Sequence, residues 1–195
     1  MEALAFRRRP FVVTSDYTGP DRRNDTNRGS EISQIQVPNS LRAKAKGTPM
    51  SPGELQQEIV GAITTINEEK LSRHAFQISF LEQVIESSMN GNRIDDTKRD
   101  MGNHLVFMAN DLAQRVVGTQ FDHVAELHYS LIEVVTSIQK HFPRPNPKDL
   151  QLLKQLSGAI LLGFNPDKDS SALSSDIANS MKAYESKQTR AAKTA

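Results

Sequence analysis

Five histidines supply most of the side chains in this chain that could carry chemistry. Two of them stand in His123-Val124-Ala125-Glu126-Leu127-His128, which has the letters of a metalloprotease motif without its spacing. Zinc-binding helices place two His residues four apart on one face, with Glu beside one of them. Here the separation is five, about 140° round a helix. His128 then falls on an apolar stripe and reads as a core-edge histidine, and His123 falls off it, so no metal site is expected. There is no Cys, which removes disulfides, thiolate catalysis and Cys-based zinc sites. No Gly-Xaa-Ser-Xaa-Gly turn offers a strained nucleophile, and no Gly-rich loop precedes a helix to cradle phosphate. Glu82 and Glu86 stand four apart with nothing to mark them beyond a solvated helix face. No catalytic residue, metal or cofactor is assigned.

Histidine phosphotransfer is the one catalytic alternative that the residues keep open. It needs a His exposed on a long helix of a bundle. Phosphotransfer domains carry Lys and Gly at the third and fourth positions after that His. Their absence after His104, His128 and His74 favours ordinary surface histidines. His104, which flanks its helix's stripe, is the candidate for this alternative.

The elements that would position such residues are helical. Ser51-Pro52-Gly53-Glu54 carries a hydroxyl cap, Pro at the first helical position and Glu three residues on. Leu55, Ile59, Ala62, Ile63 and Ile66 mark one face, which slips at Asn67–Lys70 and resumes with Leu71, Ala75, Ile78, Leu81 and Ile85. No Gly or Pro lies between Ala62 and Asn90, so one long helix is expected, with a break near Asn67–Lys70 as the fallback. A second helix steps through Met101, Leu105, Met108, Leu112 and Val116 to Gly118. The third, capped by Thr119, carries Phe121, Val124, His128, Leu131, Val135, Ile138 and Phe142 at alternating steps of three and four, the spacing of a bundle. Asn146-Pro147 starts a fourth, with Leu150, Leu153, Leu156 and Ile160 as its stripe and Leu152, Ala159 and Leu161 widening it. Leu173, Ile177, Met181 and Tyr184 suggest a weaker fifth.

Before Ser51 the pattern is different. Four prolines interrupt residues 1–50, and only Phe11-Val12-Val13 has strand character, with no evident partner. Ile32, Ile35, Val37 and Leu41 suggest an extended segment lying against the helical body. This arm holds nine Lys/Arg against five Asp/Glu, a balance of +4, while the remainder holds fifteen against eighteen, or −3. A basic arm offers contacts to phosphate or acidic lipid. The elements of a specific nucleic-acid reader are missing, so nucleic acid is not the expected partner. No apolar run is long enough to span a membrane. Arg8-Arg9 is followed by a polar, turn-forming stretch rather than the apolar run of an export signal, which places the chain in the cytoplasm.

One stretch of the arm carries a family resemblance. Phe11-Val12-Val13-Thr14-Ser15-Asp16-Tyr17-Thr18-Gly19-Pro20-Asp21-Arg22-Arg23 resembles the Arg-Pro-Phe and Tyr-Xaa-Gly-Pro-Asp-Arg-Arg segment that follows the CheY-like receiver domain of bacterial response regulators. Val37-Pro38-Asn39-Ser40-Leu41-Arg42 and the Leu-rich helix from Asp149 are similar to the extension some of those proteins carry. The receiver itself is absent: no strand here presents its acidic pair or its phospho-accepting Asp. The resemblance therefore implies an output or adaptor region of a two-component system. Tyr17, Gly19, Pro20, Asp21, Arg22 and Arg23 become candidate partner-binding residues, in a clip where Pro20 fixes a dihedral, Gly19 permits close approach, Tyr17 anchors and the arginines fork onto carboxylates.

The sequence thus predicts an all-α fold, an antiparallel bundle of four to five helices over residues 51–186. An extended, largely disordered arm (1–50) precedes it and a frayed tail (187–195) follows. The expected role is non-catalytic protein–protein interaction in two-component signalling, with a receiver domain or histidine kinase as partner. The long first helix leaves room for a homodimer.

Overall fold

The computed structural model describes residues 5–14, 16–22, 33–89, 96–142 and 144–165, with isolated positions 179, 186 and 190. The fifth helix expected on Leu173, Ile177, Met181 and Tyr184 lies outside them. The fold is mainly helical but is not a pure helical bundle, because a small three-stranded sheet accompanies the helices. The chain divides into two compact units, Met1–Arg73 and His74–Ala195.

In the first unit, β1 (Phe11–Val13) lies between β2 (Thr18–Pro20) and β3 (Gln34–Ile35), antiparallel to both. Phe11-Val12-Val13 thus has the partners that the sequence did not suggest. One is made locally, by a turn whose Thr14 N–H donates to the Tyr17 carbonyl at 2.7 Å. The other comes from about twenty residues downstream, too far for any local pattern to announce. Val12, Val13 and Ile35 are buried, and α1 (Ser40–Ala45) follows, capped by Asn39 Oδ1 accepting from Arg42 N–H at 3.0 Å. The described part of the arm is therefore built of strands and a short helix, where an extended segment was expected.

Helix α2 spans Pro52–Met89 without a break at Asn67–Lys70. It opens with a reciprocal capping box: Ser51 N–H donates to Glu54 Oε2 (2.8 Å) and Glu54 N–H to Ser51 Oγ (3.3 Å). The bond from the Ser51 backbone, then that with its hydroxyl, holds the Glu54 carboxyl below its usual range. No residue from Ser51 to Lys70 is buried, and Ile63, expected on the apolar face, is 60% exposed. Burial begins at Leu71 and continues through Ala75, Ile78, Leu81 and Ile85.

In the second unit, the C-terminal part of α2 is joined by α3 (Asp96–Val116), α4 (Ala125–Lys140) and α5 (Pro147–Gly163). Cross-helix hydrogen bonds fix their directions. Gln139 Nε2 reaches Asn103 Oδ1 (2.6 Å) and Ser137 Oγ reaches Asp149 Oδ2 (2.7 Å), so the end of α4 meets the start of both α3 and α5. His74 meets Asp111 near the end of α3, while Ser79 and Glu86 meet Ser157 and Lys154 in reverse order along α5. The starts of α3 and α5 thus meet the end of α4, and α2 runs opposite to α5.

The closest backbone approaches are α3 with α4 and α4 with α5. The α4 stripe explains them: Phe121, Val124, His128, Leu131, Val135 and Ile138 are all buried. Gly118, at φ +72°, ends α3 in the left-handed conformation that glycine adopts without strain. A single 3₁₀ turn, Asp122–Val124, then enters α4. Against it, a Cβ on Gly163 would stand 2.9 Å from Val124 Cγ1, so the end of α5 seats closely only because residue 163 has no side chain. On α5, Leu161 is buried as expected, but Leu152 and Ala159 are exposed, so the stripe is narrower than the sequence implied. Among the described residues no helix is long and apolar enough to cross a membrane.

Leu131 is fully buried on α4, so Leu131→Ala leaves a cavity that the bundle closes only in part. A loss of about 3 kcal/mol is expected, read as a lower urea midpoint with an unchanged slope.

Candidate interaction site

The Tyr17–Arg22 segment supplies the second strand of a hairpin with Phe11–Val13. Its register pairs Phe11 with Pro20, Val12 with Gly19 and Val13 with Thr18. The turn is held by Thr14, whose Oγ1 accepts from Tyr17 N–H at 3.0 Å, and the far end by Asp21 N–H on the Pro10 carbonyl at 2.9 Å. Those bonds set the alternation of the ladder, which points the Pro20 nitrogen outward, away from β1. Proline costs the sheet no bond there.

Residues two apart on a strand share a face, so Tyr17 and Gly19 compete for one space. The ring takes it. A Cβ on Gly19 would stand 2.5 Å from Tyr17 Oη and 2.7 Å from Cζ. Lying over the glycine, Tyr17 donates its hydroxyl to the Pro20 carbonyl at 2.9 Å. The Arg22 guanidinium lies over the same ring, 5.0 Å from its centroid. Arg9 braces the strand end with a bond from Nη1 to the Asp21 carbonyl (3.2 Å). Tyr17, Gly19, Pro20, Asp21 and Arg22 therefore come together, Arg22 exposed and Gly19 buried; Arg23 lies outside the described residues. The close approach that Gly19 permits is made by Tyr17 of the same hairpin.

The histidines divide by burial. His104 is exposed on α3, its ring stacked on Phe107 at 6.4 Å and 14°. Phe107 and the fully buried Met108 occupy the positions where a phosphotransfer helix carries Lys and Gly. His74 and His128, read from the sequence as a surface and a core-edge side chain, are both buried. The ring of His128 tilts against Phe164 at 5.9 Å. His74 Nε2–H donates to Asp111 Oδ2 at 2.6 Å, and Arg115 Nε donates to the same oxygen at 2.7 Å. Burial alone would raise the Asp111 carboxyl, but the bonds from Arg115 and His74 outweigh it and leave it below its usual range. The pair ties α2 to α3. The side chain of His123 is outside the described set, and among the described residues no three His, Asp or Glu side chains gather to hold a metal.

Glu82 is the residue that the sequence reading missed. Expected on a solvated face, it is 5% exposed, in a polar seam between α2 and α5. Glu86 pairs there with Lys154 Nζ at 2.8 and 3.0 Å, and Ser79 Oγ donates to the Ser157 carbonyl at 3.1 Å. Burial, then the neighbouring Glu86 carboxylate, pushes Glu82 up to about 7, against the pull of Lys154. Its place was visible in the spacing: Ala75, Ile78, Glu82 and Ile85 continue one stripe at steps of three, four and three.

Set against family models, curated proteins and solved structures, the chain matches none.

Two outcomes follow from these contacts. Gly19→Ala should speed amide exchange in the Phe11–Pro20 hairpin about tenfold, and the added cost should vanish in a Tyr17→Ala background, where no ring is displaced. For Glu82, the folded value near 7 exceeds the ordinary 4.5. The folded state therefore holds the proton more tightly, and stability falls as pH rises from about 4.5 to about 7. Glu82→Gln should abolish that slope and stabilise the protein at pH 8 by on the order of 2 kcal/mol, measured by urea unfolding across pH.

Proposed function

We propose that the chain is a non-catalytic adaptor or output module of bacterial two-component signalling. It acts in the cytoplasm by binding a signalling protein such as a receiver domain or a histidine kinase. The observation that carries this reading is the Arg22 guanidinium laid on the Tyr17 ring, 5.0 Å from its centroid, at the exposed end of a braced hairpin. An arginine already held flat loses little freedom when its N–H edge meets a carboxylate. The resemblance of this segment to the region following response-regulator receivers supplies the signalling context. A pair of such modules, joined through α2, is compatible with this role.

His104 favours a second reading, histidine phosphotransfer, because it is exposed on one of the packed helices of the second unit. Incubation with a phosphorylated receiver separates the two. Label moving to the chain and lost in His104→Gln supports transfer; label remaining on the receiver supports the adaptor.

For the adaptor, Arg22→Ala combined with Arg23→Ala should weaken capture of the cognate signalling protein about tenfold, with helical ellipticity unchanged. Capture equal to that of the unaltered chain would discard the hairpin as a docking clip.

A further inference from the structure

The first unit carries an open groove of about 570 Å³ whose chemistry is unlike that of the hairpin. Half-buried Val37, Pro38, Ala43, Met50 and Ala62 give it an apolar lining, and exposed Arg42 and Lys46 stand at it. Arg8 joins them, since its Nη1 donates to the carbonyl of the lining residue Pro38 at 3.2 Å. A bond from Asn39 Nδ2 to the Ala5 carbonyl (3.4 Å) holds the same two segments together. Residues 5–14 contribute Arg7, Arg8 and Arg9, residues 33–50 contribute Arg42, Lys44 and Lys46, and neither stretch contains an Asp or Glu. Among the described residues, Glu58 on α2 is the one carboxylate lining the groove.

A second observation points to an occupant. Gly61 lies mid-helix on α2 and lines the groove, and a Cβ built there meets nothing within 4 Å. Glycine weakens a helix interior, and no neighbour among the described residues requires its lack of a side chain. Nothing from Ser51 to Lys70 is buried on this part of α2. The space beside Gly61 and Ala62 is what an incoming chain would use.

We propose that this groove binds an acidic, apolar-tipped segment of a partner protein, with an aliphatic side chain against Ala62 and Gly61 and carboxylates meeting Arg8, Arg42 and Lys46. The inference takes from the proposed function only that the chain works by binding another protein. Charge complementarity selects an acidic occupant. Concavity selects a peptide over a lipid surface, which is too flat to enter. Single-stranded nucleic acid would stack its bases on aromatic side chains, and none lines the groove among the described residues.

The test uses the full chain and a fluorescein-labelled helical peptide of glutamate and leucine, followed by anisotropy. Saturable binding is expected, weakening about tenfold between roughly 50 and 300 mM salt, with no binding of a peptide bearing lysine for glutamate. Arg42→Glu with Lys46→Glu should weaken binding more than tenfold. Gly61→Leu should do the same by filling the groove with every charge in place, and it favours the helix, so folding is preserved. The proposal is overturned if the glutamate peptide does not saturate, if both variants bind as the unaltered chain does, or if only phosphatidylserine vesicles or a single-stranded oligonucleotide bind. Should the peptide fail while Arg22-dependent capture of the signalling protein persists, this inference falls and the hairpin reading stands.

Discussion

The core of the second unit is organised by the burial of one helical stripe. α4 lies between α3 and α5, and both press close to its backbone. Leu131, Val135 and Ile138 therefore have no route to water, and any polar group at their depth needs a partner supplied from inside. That requirement disciplines the neighbouring helices. α3 presents Leu105, Met108 and Leu112, and α5 presents Leu153 and Ile160, all buried. The seat at the end of the bundle follows from the same closeness, with Phe121 edge-on to Phe164 at 4.8 Å. Polar exceptions lie where α2 meets its neighbours, with His74 on Asp111 at one level and the Glu82 seam at another, and on α4 itself, where His128 tilts against Phe164.

Much of the helical part was legible because helical burial is a local, periodic signal. The stripe from Phe121 to Ile138, the continuous Pro52–Met89 helix and the Asn146-Pro147 start could all be read from spacing and caps. Strand pairing is not local. Val12 reads as an orphan until Gln34 and Gly19 are brought beside it, and a two-residue strand such as Gln34–Ile35 carries no periodicity. Short α1 was likewise hidden, since Asn39 and six residues make one capped turn and a half. Glu82 is hidden for another reason: a carboxylate suggests exposure, although its position continues the apolar stripe. In the hairpin, the residues to group were legible, but their arrangement was not, since nothing in a string of letters says that Tyr17 folds onto Gly19.

Two kinds of electrostatics coexist in this chain. In the second unit, charges act as ties along and between helices. Lys154 is held above its usual range chiefly by its hydrogen bond with Glu86, and Arg115 is occupied by Asp111. In the first unit, cations are displayed: Arg22 rests on an aromatic face, and Arg42, Lys44 and Lys46 project from a short helix with no buried residue. Interiors of low dielectric make a tie strong and a lone charge costly. Displayed arginines avoid that penalty and keep their N–H edges for a partner. The binding readings accordingly fall on the first unit.

The placement of Pro20 bears on how the small sheet behaves in a crowded solution. β2 is an outer strand, and outer strands invite copies of themselves to pair along their unused amides. With the Pro20 nitrogen turned outward and bearing no hydrogen, a newcomer finds Thr18 N–H on that margin and no second donor in the strand. On the opposite margin β3 is two residues long. Both outer strands are thus short, and β2 offers one amide donor on its margin, which leaves a copy of the chain little to pair with.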